Sequence, residues 1–402
     1  MTAREYPVFT VTPKAERSLR AGHPWVYGEE VTAVEGAYQN GDMVDVVSNK
    51  GRYLGTGWVN DHSKIRVRII SRNTNDTFDE AFFRRRVRYA LDYRKTVMGP
   101  VDYRCCRLIF GEADQFPGLT VDRFENVLVT QVLSLGMERR KGWVYRALVE
   151  LLREDGEQIG AIYERNDVAI RTLEGLEQGK GFYQMEGLRT DLSGHVVIAE
   201  NGIKYDVDYI EGQKTGFFLD QKYNRLAAAK LARGRRVLDC FTHTGAFALN
   251  AAAAGAAHVT AVDVSAFALE LAAENGRKNG LTNLDYKCAD VFDLLTEMAK
   301  EKKCDYDYII LDPPAFTKSR ATAKNAYHGY KEINMKAMRL LPRGGYLATC
   351  SCSHFMTDEM FRKMLREAAA DAGVTLRQIE ARQQAPDHPI LPEVPETDYL
   401  KF

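Results

Sequence analysis

Cysteine is scarce in this chain, seven residues in 402, at Cys105, Cys106, Cys240, Cys288, Cys304, Cys350 and Cys352. An odd number without regular spacing excludes a disulfide framework, and no C-x-x-C pair is present to hold zinc. Reduced thiols, no metal and a cytoplasmic location are the expectation. Long apolar runs are missing as well. No stretch approaches the roughly 18 apolar residues of a membrane span, and MTAREYPVFTVTPKAERSLR is polar where a secretory signal would be apolar. Nor is there an excess of one charge: 55 Lys and Arg balance 55 Asp and Glu, so any polyanion must be met by a local patch. Repeats and low-complexity linkers are lacking. What is present is an ordinary globular composition, 45% hydrophobic, long enough for two or three domains of about 150 residues.

Three textures divide the chain, at 1–73, 74–185 and 186–402. The first is strand-rich: DMVDVVSNKGRYLGTGWVN alternates apolar residues with glycine, and SKIRVRII follows with period two, which predicts a small all-β module. The second opens on a helix pattern, FDEAFFRRRVRYALDYRKTV (Phe78 to Val97). Short strands follow around Leu108, Leu119 and Val127, then a helix from about Arg139 to Leu152 and a strand at AIYER. The third begins with a hairpin, VVIAENGIKYDVDYI, whose Asn201-Gly202 suits a type I′ turn. Strand and helix then alternate through RRVLDCF, HVTAVDV, LDYKCAD, YDYIILDPP and GGYLATCS, the pattern of a doubly wound parallel α/β sheet.

In such a sheet a ligand lies outside the carboxyl ends of the strands. The first strand runs into Asp239-Cys-Phe-Thr-His-Thr-Gly245, which is neither G-x-G-x-x-G nor a P-loop, so a cofactor without phosphates is indicated. The second ends at Asp263, placed to accept ribose hydroxyls, and the third at Asp290, placed to accept from an adenine amino group. One such aspartate alone reads equally as a helix cap; three at successive strand ends point to S-adenosylmethionine. The fourth strand ends in Asp312-Pro-Pro-Ala-Phe316, a rigid turn with few donors, and here the chain resembles the class I methyltransferases.

Cys350 and Cys352, in TCSCSH after the fifth strand, share a strand face. Cys352 is nearer the carboxyl end and is the nucleophile candidate; Cys350 reads as a small buried apolar residue. A thiol is wanted at such a place because carbon 5 of cytosine is not nucleophilic enough to take a sulfonium methyl until a thiolate adds at carbon 6.

GHPWVYGEEV, RLIFGEADQFPGLTVDRFENVLVTQ, KTGFFLDQKYNR, VLDCFTHTGAFAL, VDVS, DPPAFTKSR and the SCS of TCSCS together resemble the PUA-domain-containing class I large-subunit (23S) rRNA cytosine-C5 methyltransferases, over the whole length. That resemblance implies an N-terminal all-β PUA-like domain, a small central α/β domain and a C-terminal Rossmann-like catalytic domain. It implies Cys352 and Asp312 as catalytic residues. Cofactor contacts are implied at Phe218, Asp220, Gln221, Arg225, Asp239, Phe241, Thr244, Gly245, Asp263, Asp290 and Asp312. A surface ion pair is the alternative reading of Asp220 and Arg225. Many related RNA enzymes carry a second cysteine where this chain has Pro314, which leaves Asp312, a water, His354 or His388 as candidates to remove the C5 proton.

Between Lys64 and Arg104 stand eleven Lys or Arg against five Asp or Glu. Lys64, Arg66, Arg68, Arg84, Arg85, Arg86 and Arg88 are the RNA-contact candidates, with a solvated helix face as the bland alternative. Trp25, Tyr53 and Trp58 either stack bases or fill the core. Large-subunit ribosomal RNA is the expected partner; a homodimer is allowed but not indicated. The rival activities are amino-group methylation of adenine or guanine, which uses an aromatic directly after D-P-P whereas Phe316 here is displaced by Ala315, and a non-catalytic RNA-binding assembly factor.

Overall fold

The computed structural model describes residues 5–301, 304–317 and 322–402; Lys318–Arg320 of the DPPAFTKSR stretch lie outside them. Two units share the chain. One takes the residues up to Val197 with Val207–Leu219 and Pro386–Thr397, the other Ile198–Asp206, Asp220–Ala385 and Asp398–Phe402.

In the first unit a six-stranded sheet runs in the order Trp25–Tyr27, Ile65–Ser71, Tyr53–Val59, Met43–Ser48, Val8–Val11, Val31–Glu35. All neighbours are antiparallel except Val8–Val11 with Met43–Ser48. Alternate apolar residues of these strands, Phe9, Val11, Val44, Val46, Val59 and Val67, close one core. The all-β expectation passed over a helix, Pro13–Arg20, which Thr12 caps by accepting from Ala15 N and which proline opens at its first turn. It buries Ala15 and Leu19 in the same core.

The same unit holds a second, five-stranded sheet in the order Lys180–Phe182, Ala161–Arg165, Val127–Val132, Leu119–Phe124, Cys105–Phe110. Two helices pack with it, Glu80–Asp102 and Lys141–Glu154. The first begins where expected, capped by Asp79 through a 2.9 Å bond from Phe82 N. It runs past Val97 to Asp102 through a kink, because Gly99 takes φ 69° just before Pro100. Trp58 is 1% exposed. A Cβ on Gly136 would fall on its indole, so that ring is core and not a stacking platform.

The hairpin His195–Glu200/Ile203–Asp208 turns through Asn201 (φ 53°) and Gly202 (φ 81°), both left-handed as a type I′ turn demands. The second unit is then a five-stranded parallel sheet. In chain order its strands are Arg236–Cys240, His258–Asp263, Leu284–Cys288, Tyr308–Leu311 and Tyr346–Thr349, and in space they lie 3-2-1-4-5. Successive residues feed opposite faces: Tyr308 and Ile310 join Ala248, Ala251 and Cys350, whereas Ile309 and Leu311 join Leu238, Ile333 and Ala337. Strand order reverses between the first and fourth strands, and that is where a crevice opens in a doubly wound sheet.

Candidate active site

The loop leaving the first strand is bent in a way side chains resist. Phe241 (φ 62°), His243 (φ 51°) and Gly245 (φ 82°) alternate into the left-handed region, and the first two are not glycine. Asp239 holds this shape. Its Oδ2 accepts from Thr242 Oγ1 at 2.5 Å and from Ala248 N at 2.9 Å. Its Oδ1 is buried and takes no hydrogen bond from any described residue. Burial raises the Asp239 carboxyl to about 7, with Asp312 and Asp263 adding to the rise and the Thr242 and Ala248 bonds opposing it.

Asp263 stands beside the bent loop. His243 N donates to its Oδ2 at 2.9 Å and Ser265 N to its Oδ1 at 3.0 Å, so the carboxylate is fixed with a second lone pair on each oxygen still to use. Asp290 is exposed and accepts from Phe292 N at 2.7 Å and Asp293 N at 3.3 Å. It does cap the helix Val291–Glu301, the structural role weighed for these aspartates. Two neighbours carried no sequence signal: Val264 is 64% and Phe267 57% exposed, an apolar pair next to Asp263. Large apolar side chains left open beside a hydroxyl-binding acid suit the face of a base.

The segment before the first strand brings polar groups to Asp312. Gln221 Nε2 donates to Asp312 Oδ1 at 3.0 Å, Asn224 Nδ2 to Gln221 Oε1 at 2.7 Å, and Arg382 Nε to Asn224 Oδ1 at 3.0 Å. Asp220 is buried; Tyr399 Oη donates to it at 2.6 Å. Arg225 departs from the surface-pair alternative. It is 2% exposed and forms a bidentate bond to Glu200, Nε–Oε1 2.6 Å and Nη2–Oε2 2.8 Å. Phe218 belongs to the other unit, where Lys214 Nζ lies 4.7 Å from its ring centroid. Thr244 is buried next to His243, its Oγ1 3.3 Å from Nδ1.

The two cysteines meet different fates. Cys350 N bonds to Leu311 O at 2.8 Å, which continues the pairing of the fourth and fifth strands and sets Cys350 beside Asp312. Its thiol is fully buried among Ala248, Tyr308 and Ala348, and burial plus the neighbouring carboxylate push it far above an ordinary thiol. Cys352 is half-buried, with Sγ 3.9 Å from Pro313 O in the fourth-strand turn. Burial, with Asp220 adding, raises Asp312 to about 6; Arg225, Cys350 and Gln221 pull the other way. Phe316 packs into an aromatic cluster, 4.5 Å from Tyr330, 5.7 Å from Phe292 and 6.5 Å from Phe241. Tyr330, absent from the sequence-derived set, has its hydroxyl within electrostatic reach of Cys352 and Asp312. His354 is exposed against Phe355, whereas His388 is buried in the first unit with Nδ1 2.8 Å from Asp387.

Residues 183–401 match the S-adenosylmethionine-dependent methyltransferase family, and residues 9–72 the PUA-like domain. The chain belongs to the S-adenosylmethionine-dependent methyltransferases. It is 42% identical over 388 residues to the ribosomal RNA large subunit methyltransferase I of Pseudoalteromonas translucida, covering 96% of each chain. With the protein of that name from Shewanella denitrificans the identity is 43% over 393 residues, 97% of this chain and 96% of the other. Among solved structures, a Streptococcus mutans protein described as a SAM-dependent methyltransferase superposes with TM-score 0.80 at 22% identity over 98% of both chains, evidence for the fold. The cofactor is S-adenosylmethionine, and the residues fit it: an orphaned buried Asp239 oxygen, a bent loop free of any phosphate cradle, and an Asp263 carboxylate held ready for hydroxyls. Among the described residues no cluster could hold a metal ion, and no helix is long and apolar enough to cross a membrane.

The basic patch is largely neutralised within the fold. Arg68 is withdrawn from the RNA-contact set: it is 8% exposed, with Nη2 2.8 Å from Glu174 and Nη1 3.4 Å from Glu112. Arg66 pairs with Asp61, Arg84 with Glu150 and Glu154, Arg85 with Asp76, and Arg88 with Asp155 and Glu154. Arg86 donates to Gln115 O at 3.1 Å and lies over the Phe82 ring. Lys64 alone of the seven is exposed with no side-chain partner among the described residues. Trp25 Nε1 bonds to Glu112 at 3.0 Å and Tyr53 Oη lies 2.7 Å from Thr56 Oγ1.

Proposed function

We propose that the chain forms 5-methylcytosine in large-subunit ribosomal RNA through a covalent Cys352 adduct. The carrying observation is the half-buried Cys352, its Sγ 3.9 Å from Pro313 O in the turn that Asp312 opens, while the Cys350 thiol is fully buried. Near-full-length identity above 40% to proteins named ribosomal RNA large subunit methyltransferase I supports the substrate.

S-adenosylmethionine supplies an electrophilic methyl group. Asp263 takes the ribose hydroxyls, Val264 and Phe267 flank the adenine, and Asp290 accepts from its amino group. Asp239, Phe241, Thr244 and Gly245 shape the loop beneath. Asp220, Gln221 and Arg225 line the amino-acid end, with Arg225 acting from its pair with Glu200. Cys352 adds as thiolate to carbon 6 of the cytosine, which makes carbon 5 nucleophilic. Asp312, oriented by Gln221, meets the Watson–Crick edge. A carboxyl raised to about 6 is able to carry a proton at N3 as negative charge builds on the ring. Once carbon 5 carries the methyl group, its proton passes to water or to the Asp312 carboxylate, the C–H pair re-forms the C5–C6 double bond, and the thiolate leaves with the carbon–sulfur pair.

The amino-group alternative needs an aromatic to stack the target base, and Phe316 is instead committed to Phe241, Phe292 and Tyr330. The PUA-like module, the central α/β sheet and the catalytic domain are assigned to 1–73, 74–185 and 186–402. That substrate and the scatter of cysteines support a cytoplasmic location.

The test is a covalent trap. The protein and S-adenosylmethionine are incubated with large-subunit rRNA carrying 5-fluorocytosine and resolved on a denaturing gel. A shifted band lost in Cys352→Ser and kept in Cys350→Ser is expected. Loss only in Cys350→Ser would move the nucleophile to the buried thiol. No band in any form, with methyl transfer to ordinary RNA intact, would transfer the case to amino-group chemistry.

A further inference from the structure

Residues 398–402 return to the sheet and bracket Cys352. Ser351 and Lys401 exchange both backbone hydrogen bonds at 2.9 Å, an isolated antiparallel bridge. The Lys401 ammonium then reaches past the cysteine to Ser353 O at 2.7 Å and donates also to Tyr399 O at 2.9 Å. Cys352 therefore sits between two residues, each bonded to Lys401. That lysine is 4% exposed. An ammonium has three donors; two go to carbonyls, and the third is taken by no described residue. Among the described residues no carboxylate forms an ion pair with it, although a buried cation is costly unless an anion answers it.

We propose that Lys401 is a positioning residue for methyl transfer, its backbone bridged to Ser351 and its ammonium held by the Ser353 and Tyr399 carbonyls so that it favours the Cys352 thiolate. The inference rests on Cys352 being the nucleophile. In the step concerned the thiol hydrogen leaves to solvent as a proton, sulfur keeps the bonding pair, and the ammonium remains protonated as counter-charge. An opposite charge within about 4 to 6 Å lowers an acid's pKa by about 1 to 3 units, the effect expected of the thiol. Burial brings Lys401 itself down to about 8, while Asp398, the Cys352 sulfur and Asp358 hold its proton on. Tyr330, raised to about 12 by burial, and the Cys350 thiol also lie within electrostatic reach of Cys352. Neither supplies a positive charge; among these groups the ammonium is the one that favours a thiolate.

The experiment is the pH dependence of iodoacetamide alkylation at Cys352, resolved from the other cysteines by peptide mass spectrometry, in the full chain. Wild type should alkylate with a midpoint below an ordinary thiol's value of about 8.5. Lys401→Gln, which keeps donors for Ser353 O but no charge, should react roughly tenfold more slowly at pH 7, and Lys401→Arg should recover most of the rate. A wild-type midpoint at or above 8.5 overturns the proposal without any variant being needed. So does a Lys401→Gln profile that superimposes on wild type. The fluorocytosine trap separates the two ideas: an adduct from a thiol of ordinary midpoint keeps the nucleophile and discards the lysine's role, whereas a depressed midpoint with no adduct does the reverse.

Discussion

Gln221 and Asp312 are 91 residues apart in sequence and 3.0 Å apart in space, amide to carboxylate. Because Gln221 Oε1 is itself fixed by Asn224, the amide cannot turn over, and its donor stays on Asp312 Oδ1. Desolvation and the Asp220 charge then decide what Asp312 costs the fold.

Asp312→Asn should melt higher than wild type at pH 7.5 while losing methyl transfer. The carboxyl is raised to about 6 against roughly 3.9 in an unfolded chain. Between those values the native state binds more protons than the unfolded state, so stability falls as pH rises through that window. The gain from asparagine is up to about 3 kcal/mol above pH 6 and vanishes below about pH 4. Calorimetric melting at the two pH values checks it; a lower melting temperature at pH 7.5 would refute the sign.

Breaking the Arg225–Glu200 pair should be severe. Arg225→Met leaves a buried carboxylate without its cation and is expected to cost about 3 to 5 kcal/mol in urea unfolding. Arg225→Met with Glu200→Met should recover much of that loss, because the desolvation penalty goes with the charges. If the double variant is no better than the single, the pair's electrostatics are not what the site depends on.

Gly245→Ala tests the bent loop. Its φ of 82° disfavours a side chain, and the added Cβ would lie 2.9 Å from Ala272 Cβ. Left-handed strain of about 1–2 kcal/mol plus that clash should lower stability and weaken S-adenosylmethionine binding together. Titration calorimetry showing unchanged affinity would separate the loop from the cofactor.

Lys64 and Arg68 should behave oppositely in RNA binding. Lys64→Gln removes an exposed charge and is expected to reduce the salt slope by about 0.7 to 0.9 with no change in melting temperature. Arg68→Gln strands Glu174 and should destabilise by about 3 kcal/mol, with any affinity loss following unfolding. A Lys64 variant with an unchanged slope removes that residue from the RNA surface.

The strand–helix alternation, the strand-end acids at Asp239, Asp263, Asp290 and Asp312, and the different burial of Cys350 and Cys352 were legible because each is a local pattern of period and position. The patch between Lys64 and Arg104 misled for the complementary reason. Counting charges along a segment overlooks Glu150, Glu154 and Asp155, which lie 60 to 70 residues away and close on Arg84 and Arg88. Lys401, in TDYLKF, looks like any surface lysine; a backbone bridge to a residue 50 positions earlier leaves no periodic trace. Glu200 gave no sign of its partner either, since a lone acid in a hairpin is ordinarily solvated.

The bridge between Ser351 and Lys401 also bears on the order of assembly. The five strands of the parallel sheet lie within residues 236–349, so they can pair while later residues are still being made. Asp220 meets Tyr399, and Ser353 meets Lys401, only after some 50 more residues have emerged, at the entropic cost that distant contacts carry. A nascent chain thus owns a folded scaffold before it owns a finished site, and the cysteine would stay chemically quiet until the last strand partner arrives.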